Sequence, residues 1–70
     1  MREQDKAVAG VFKKFAEADG KSMSEIAREM GISRELVRRS FTGTRSIRPS
    51  EFIELCRILD LSLDDFAEVV

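Results

Sequence analysis

Apolar residues recur along the 70-residue chain with the period of an α-helix almost throughout. Over residues 4–19 the stripe consists of Val8, Val11, Phe12 and Phe15, and charged side chains fall on the other side. No segment alternates between polar and apolar residues for long enough to indicate a strand. The pattern therefore predicts an all-α protein whose first element is an amphipathic helix.

Two short helices separated by a turn are predicted next. Ser22 and Glu25 have the spacing of a capping box, in which each side chain bonds to the backbone amide of the other residue. A helix of about eight residues begins there, and Gly31 is expected to end it in the left-handed conformation. Ser33 then caps a third helix over residues 34–41.

The third predicted helix has two different sides when its residues are placed at about 100° intervals. Its inward side carries Leu36, Val37, Ser40 and Phe41. Its outward side carries Arg34, Glu35, Arg38 and Arg39. One face can therefore pack into a core while the other presents three guanidinium groups and a carboxylate to a partner.

Two further helices complete the predicted set of five. Pro49 suits the first turn of a helix over residues 49–59. Its inner stripe is expected to be Phe52, Ile53, Cys56 and Leu59. Ser62 caps a short last helix. The apolar positions of that helix are Leu63, Phe66, Val69 and Val70.

Charge is distributed unevenly along the chain, although the formal net charge is only −1. Residues 21–48 contain seven basic and three acidic residues, whereas residues 49–70 contain one basic and six acidic residues. The positive charge is thus confined to the middle of the chain, and it includes the third predicted helix and the loop after it. Such a local concentration is an electrostatic footprint for an anionic partner.

Composition excludes several classes of function. The chain has no histidine and a single cysteine, Cys56, so serine–histidine and cysteine–histidine catalysis and the common zinc sites are excluded. No apolar run approaches the roughly 20 residues of a membrane span. We therefore expect a single domain over residues 1–70 that is not an enzyme, with no metal, cofactor, small-molecule ligand or membrane partner. One free thiol suits a reducing compartment such as the cytoplasm.

The turn Gly31-Ile32-Ser33 between the second and third helices carries the functional prediction. A glycine-containing turn of three to four residues holds two helices near a right angle, and the second helix can then enter the major groove of DNA. Arginine can contact guanine bidentately and can also bind phosphate. The sequence therefore predicts a helix-turn-helix over about residues 22–41.

The same residues resemble those of the phage Cro and lambda-type repressor family. The segment from Ser22 to Arg34, SMSEIAREMGISR, is similar to the family's helix-turn-helix, and Val37–Gly43 and Cys56–Phe66 are similar to its later segments. The most specific positions, taken together, are Ala27, Gly31, Ile32, Gly43 and the run from Leu59 to Leu63. The resemblance implies a compact five-helix bundle of the lambda-repressor-like type. It also implies a transcriptional regulator of the bacterial or phage-infected cytoplasm that binds an operator in double-stranded DNA.

The resemblance also implies roles for individual residues. The family reads bases from the start of its third helix, which assigns base contacts to Arg34, Glu35, Arg38 and Arg39. Helix N-termini and the loop after the third helix contact the DNA backbone, which assigns such contacts to Ser22, Ser33, Thr42, Arg45 and Arg48. For Glu35 an ordinary alternative remains, because a carboxylate can pair with Arg39 four residues further along a helix.

Two departures from the family leave a second hypothesis open. Methionine stands at position 23, where the family often has a glutamine that braces the DNA backbone. The acidic C-terminal third must face away from a duplex. Both features favour a protein-binding module on the same fold, such as an antitoxin, an anti-repressor or an inhibitor, whereas the arginines of the third helix favour DNA.

The end of the sequence predicts a homodimer. Phe66, Val69 and Val70 lie on a short terminal helix with too little chain after it to cover them. A two-fold pair would bury these side chains and place two reading helices about 34 Å apart, one turn of DNA. The alternative is that they pack back on the first helix of the same chain.

Overall fold

The computed structural model describes residues 3–69, with side chains from residue 5 onward. It contains four α-helices: α1 (Glu3–Ala18), α2 (Met23–Met30), α3 (Arg34–Thr42) and α4 (Pro49–Ile58). A single 3₁₀ turn, Leu63–Phe66, follows α4. The prediction of an all-helical fold is confirmed. The prediction of a fifth α-helix is wrong, because the segment after α4 forms only a four-residue 3₁₀ helix.

The helix boundaries follow from the capping residues that the sequence displays. The Ser22 hydroxyl accepts the amide of Glu25 at 3.1 Å, and the Glu25 carboxylate accepts the amide of Ser22 at 3.3 Å. At the start of α3, the Ser33 hydroxyl accepts the amide of Leu36 at 3.2 Å. The N-caps predicted at Ser22 and Ser33 are thereby confirmed, and α2 and α3 begin one residue after these serines.

Three phenylalanines hold α1, α4 and the 3₁₀ turn together. The ring centroids of Phe12 and Phe52 lie 5.3 Å apart, those of Phe12 and Phe66 also 5.3 Å, and those of Phe52 and Phe66 5.1 Å. The two pairs that include Phe12 meet edge to face, an arrangement that the ring quadrupoles favour. The fully buried side chains of Ile26 and Val37 extend this core beneath α2 and α3.

The burial of Phe66 corrects the prediction of an exposed terminal face. Phe66 is only 2 % exposed, because its ring completes the aromatic cluster on α1. Val69 is half-buried and packs against the same core, whereas Val70 lies outside the described residues. For Phe66 the alternative considered for the dimer is therefore the right one: the side chain packs back on the first helix of its own chain.

The inner face of α4 also differs from the prediction at one position. Ile53 is 60 % exposed, whereas Leu55, which was not assigned to the stripe, is 1 % exposed. The buried face is centred on Leu55 and Leu59, and Ile53 lies roughly 100° around the helix from Phe52. The helical period itself separates the two residues, since Leu55 follows the i, i+3, i+4, i+7 spacing of Phe52, Cys56 and Leu59 and Ile53 does not. The prediction therefore assigned this one position to the wrong side of the helix.

Helices α1 and α2 are the support on which the other elements pack. α3 packs mainly on α1 and α2, while α4 packs on α2 and the 3₁₀ turn packs on α1. Within residues 3–69, no helix combines the length and the apolar character needed to cross a lipid bilayer.

Candidate nucleic-acid interface

The segment from α2 through α3 has the form that the sequence predicts. α2 ends at Met30 and α3 begins at Arg34, so three residues make the turn. Gly31 has φ 71° and ψ 28°, a left-handed conformation that a side chain would strain. Its amide bonds back to α2, and the Ile32 amide bonds to the carbonyl of Ala27 at 3.1 Å. These hydrogen bonds cap the C-terminal end of α2, and the turn thereby fixes the direction of α3 relative to α2.

The two sides of α3 divide as predicted. Val37, Ser40 and Phe41 are buried, and Leu36 is half-buried at the edge of the core. The four charged side chains on the other side are all exposed: Arg34, Glu35, Arg38 and Arg39. The fold therefore brings all four predicted base-contacting residues onto one surface, which we call the α3 face.

Glu35 organises the α3 face. Its carboxylate accepts two bonds from Arg38, one of them from Nε at 2.9 Å, and a third from Nε of Arg39 at 3.1 Å. The bonds from Arg38, helped by Arg39, lower the pKa of Glu35 from 4.5 to about 2. In return the carboxylate raises the pKa of Arg38. The intrahelical pairing considered from the sequence is thus present, and it includes Arg38 as well as Arg39.

Arg34 is in a different position on the same face. Its side chain is exposed, and no carboxylate among residues 5–69 lies within 4.0 Å of it. It occupies the first position of α3, at the N-terminal end of that helix. Arg34 can therefore offer all five of its N–H donors to a partner.

The hydroxyl groups predicted to contact DNA all have a hydrogen-bond partner within the chain. The hydroxyl groups of Ser22 and Ser33 act as helix caps, and the Thr42 hydroxyl donates to the carbonyl of Arg39 at 3.3 Å. The same Thr42 oxygen lies 3.2 Å from the hydroxyl of Thr44. The Ser22 and Thr42 hydroxyl groups already donate to Glu25 and to the carbonyl of Arg39. The Ser33 hydroxyl only accepts among the described residues, so its hydrogen and the first amides of α3 can still be donated to a phosphate.

Arg45 has internal partners that the sequence does not reveal. Its Nη1 donates to the Ser40 hydroxyl at 2.9 Å, and its Nη2 donates to Glu51 Oε2 at 2.9 Å. Ser40 in turn donates to the carbonyl of Leu36 at 2.8 Å. These bonds connect α3, the loop and α4, and we call Ser40, Arg45 and Glu51 the loop clamp. The phosphate contact of Arg45 stays a prediction, and its guanidinium has a structural role in the free protein.

Glu51 is the member of the loop clamp that sequence reasoning missed. Besides binding Arg45, it accepts the backbone amide of Arg48 through Oε1 at 2.9 Å. The bond from Arg45, helped by that amide, holds the pKa of Glu51 below its usual value. A signal was present, because an acidic residue two positions after a proline at the start of a helix can cap its first turn. Its pairing with Arg45, six residues away, has no periodic signature.

Arg48 remains exposed directly before α4, and its backbone is held by Glu51. The segment from Gly43 to Arg48 therefore has a fixed path, with the Arg45 side chain turned inward and the Arg48 side chain outward. The surface thus combines the α3 face with one basic residue of the following loop.

Comparison with known proteins agrees with this geometry. A protein-family model described as helix-turn-helix matches residues 12–66, which include the whole of α2, α3 and α4. Comparison with curated proteins and with solved structures gives no match to this chain. The family match covers most of the chain, and it includes the capped turn and the arginine-bearing third helix. The chain belongs to the helix-turn-helix family of Cro and C1 (XRE) type, whose members are DNA-binding regulators.

Proposed function

We propose that the protein is a sequence-specific transcriptional regulator that binds double-stranded DNA with α3 in the major groove. The observation that carries the proposal is the α3 face, where three arginines and one glutamate are exposed opposite the side that packs into the core. A major groove about 12 Å wide admits one helix, and guanidinium groups match the acceptors of guanine. The family match supplies the general function, DNA binding.

The base contacts that we propose divide according to the pairing on the α3 face. Arg34 has no internal partner among the described side chains, so it can contact guanine O6 and N7 directly. Arg38 and Arg39 contact bases or phosphates with the donors that Glu35 leaves free. Glu35 can also accept from a cytosine amino group beside them.

Backbone contacts surround these base contacts. Ser22 and Ser33 mark two helix N-termini whose first amides can bind phosphate oxygens. Thr42 and Arg48 lie exposed at the end of α3 and before α4, and they bind phosphate from the loop side. Arg45 takes part only if DNA draws its guanidinium away from Glu51.

We infer that two copies bind a pseudo-palindromic operator and repress transcription by occupying it in the cytoplasm. Recognition helices on successive turns of DNA are about 34 Å apart. The longest extent of one copy is 28 Å. One copy therefore covers one half-site, and a symmetric operator requires a second. Repression is favoured over activation because occupying a promoter requires binding alone.

Selection of bound sequences from a random duplex library tests the proposal most broadly. The expected result is a two-fold symmetric motif whose half-sites are one helical turn apart and contain guanine opposite Arg34. Affinity for the selected duplex should fall as salt is added. A plot of the logarithm of the association constant against the logarithm of the salt concentration should have a slope of about −0.9 for each phosphate neutralised. Recovery of unenriched sequences would contradict sequence-specific binding.

The protein-binding alternative has one observation in its favour. Residues 49–70 have six acidic residues against one basic residue, and Leu63 in this segment is 78 % exposed. An antitoxin or inhibitor on this fold would use that surface toward a basic partner. If neither α3 nor the loop after it has a role in DNA binding, removal of Arg34, Arg39 or Arg48 will leave duplex affinity unchanged, and this result separates the two functions.

A further inference from the structure

Glu35 engages its two arginine partners in different ways. Arg38 is held side-on, because both Nε and Nη2 donate to the carboxylate. Arg39 is held through Nε alone, at 3.1 Å. Its two terminal nitrogens, Nη1 and Nη2, make no hydrogen bond within the part of the chain that the structure describes. The Glu35 carboxylate thus engages most of the Arg38 guanidinium but leaves Nη1 and Nη2 of Arg39 available.

We propose, resting on the proposed function, that Glu35 is a specificity-determining residue that holds Arg38 back from phosphate and directs Arg39 toward guanine. The terminal nitrogens of an arginine fixed at Nε form the fork that pairs with guanine O6 and N7. Because its Nε is already bonded, Arg39 loses less side-chain freedom when it binds. Glu35 therefore acts as a positioning residue for Arg39 and as an internal competitor for Arg38.

The net charge of the α3 face also supports a role of Glu35 in specificity. Without Glu35 the face would present three positive charges, and affinity for any DNA rises with each arginine that meets a phosphate. The carboxylate cancels one of these charges and also repels the phosphates. A mismatched duplex offers only phosphate contacts, whereas a matched duplex also offers base contacts. On matched DNA Arg34 and Arg39 contact bases, so fewer arginines meet phosphates there than on unmatched DNA. The charge of Glu35 therefore opposes binding to unmatched DNA more than binding to matched DNA.

Glu35 keeps its negative charge under all conditions in which DNA binding would be measured. The hydrogen bonds from Arg38 hold its pKa near 2, far below neutral pH. The pairing is exposed to solvent and is therefore weak enough for DNA to displace. Glu35 is therefore always charged and yet can be displaced by a DNA phosphate. Both properties are needed for it to compete with phosphate for Arg38.

The test compares Glu35→Gln with Glu17→Gln. Glu17 is an exposed residue of α1, and no arginine or lysine among residues 5–69 is paired with it, so its variant removes the same charge without releasing an arginine. Both variants and the unmodified protein are titrated with a 20-base-pair duplex of random sequence. They are also titrated with the duplex that the unmodified protein selects from a library, each at several salt concentrations.

We expect Glu35→Gln to bind the random duplex on the order of five-fold more tightly, since an exposed ion pair is worth up to about 1 kcal/mol. The slope of its log association constant against log salt concentration should become steeper by about 0.9 for each arginine that moves to a phosphate. The selected duplex should gain less affinity or lose some, so the ratio of the two affinities falls. Glu17→Gln should retain the ratio and the salt dependence of the unmodified protein.

Two results would overturn the inference while leaving the proposed function intact. In the first, the two variants behave alike. In the second, Glu35→Gln weakens only the selected duplex at one base pair, which would make Glu35 a direct reader of a base. If the unmodified protein binds neither duplex at low salt, the proposed function fails and the inference fails with it.

Discussion

Single side chains on the α3 face differ in how strongly the protein itself holds them. Glu35 bonds to two arginines, whereas Arg34 has no carboxylate within 4.0 Å among residues 5–69. A base contact by Arg34 therefore requires no internal bond to break. At the residue scale this makes Arg34 the side chain on which recognition should depend most directly.

Replacement of Arg34 by alanine should weaken binding to the selected duplex by about 1–3 kcal/mol and relax specificity at one base pair. The physical reason is the loss of a bidentate contact to guanine. Fluorescence titration with single-base variants of the duplex measures both effects. Arg57→Ala, which removes an exposed arginine from α4, is the matched control and should change little. Equal losses from the two variants would show that Arg34 contributes only charge.

Gly43 provides a residue-scale prediction about stability. It has φ 78°, and a Cβ built there would lie 2.9 Å from Cγ of Lys6 on α1. Gly43→Ala should therefore lower the free energy of unfolding by roughly 1–2 kcal/mol or more, from the left-handed backbone and the clash. Gly10→Ala should raise it by roughly 0.5–1 kcal/mol, because Gly10 lies within α1 with nothing within 4 Å of its Cβ position. Urea denaturation measures both, and similar values for the two variants would contradict this explanation.

At the scale of elements, the loop clamp connects the reading helix to the helix that follows it. Arg45 joins Ser40 on α3 to Glu51 on α4, and the side chains of Arg45 and Glu51 are only 20 % and 13 % exposed. A partly buried, bonded pair is much harder to break than a surface pair, because either partner left alone stays poorly solvated. The clamp therefore fixes the path of the loop that presents Arg48.

Glu51→Gln should lower the free energy of unfolding at neutral pH by about 1–2 kcal/mol through loss of charged hydrogen bonds. The pKa of Glu51 is lowered by folding, so its charge stabilises the folded state at pH values above the unfolded-state pKa, about 4.3. This contribution disappears as pH falls below that value toward the folded-state pKa. Urea denaturation at pH 7 and at pH 3 should therefore show a difference between the two proteins that shrinks at low pH. Glu54→Gln, on the same helix, is the control; an equal effect of Glu54→Gln would contradict the role of the clamp.

Local signals in the sequence predicted most of the fold at the element scale. The capping serines and the glycine after α2 place the helix-turn-helix, because each acts through bonds to residues at most five positions away. The same reasoning placed the four charged residues on the α3 face. It was wrong for Phe66, since the burial of that ring depends on which residues pack against it and not on the helical period. Ile53 was misassigned, because the period groups Leu55 with Phe52, Cys56 and Leu59.

The partners of Arg45 could not be predicted from the sequence for a related reason. Glu51 lies six residues away, across a loop whose path is set by the packing of α3 and α4. Helical periodicity has no rule for a contact of this kind. The sequence therefore identifies the basic residues of the candidate site but does not show which of them form internal hydrogen bonds.

At the scale of the whole molecule, size and exposed apolar surface bear on the oligomeric state. Among residues 5–69 the large apolar side chains that remain exposed are Ile53 and Leu63. A stable interface buries about 800 Å² on each partner, which two such side chains do not supply alone. We therefore expect the second copy to be recruited chiefly by the symmetry of the DNA site.

Sedimentation velocity tests this expectation. The free protein should sediment as a monomer at micromolar concentration, and the complex with the selected symmetric duplex should contain two copies. A duplex with one half-site destroyed should bind one copy, with about the affinity of a single half-site of the intact duplex. A complex that holds a single copy on the intact symmetric duplex, with protein in excess, would contradict the proposed dimeric assembly.

The central claim is that the exposed side of α3 meets the DNA. Titration of isotope-labelled protein with the selected duplex, followed by amide chemical shifts, tests it most directly. We expect the largest changes between Ser33 and Arg39 and in the loop from Gly43 to Arg48, with small changes over residues 60–69. Changes concentrated in the acidic residues 60–69, or no changes with any duplex at low salt, would contradict it.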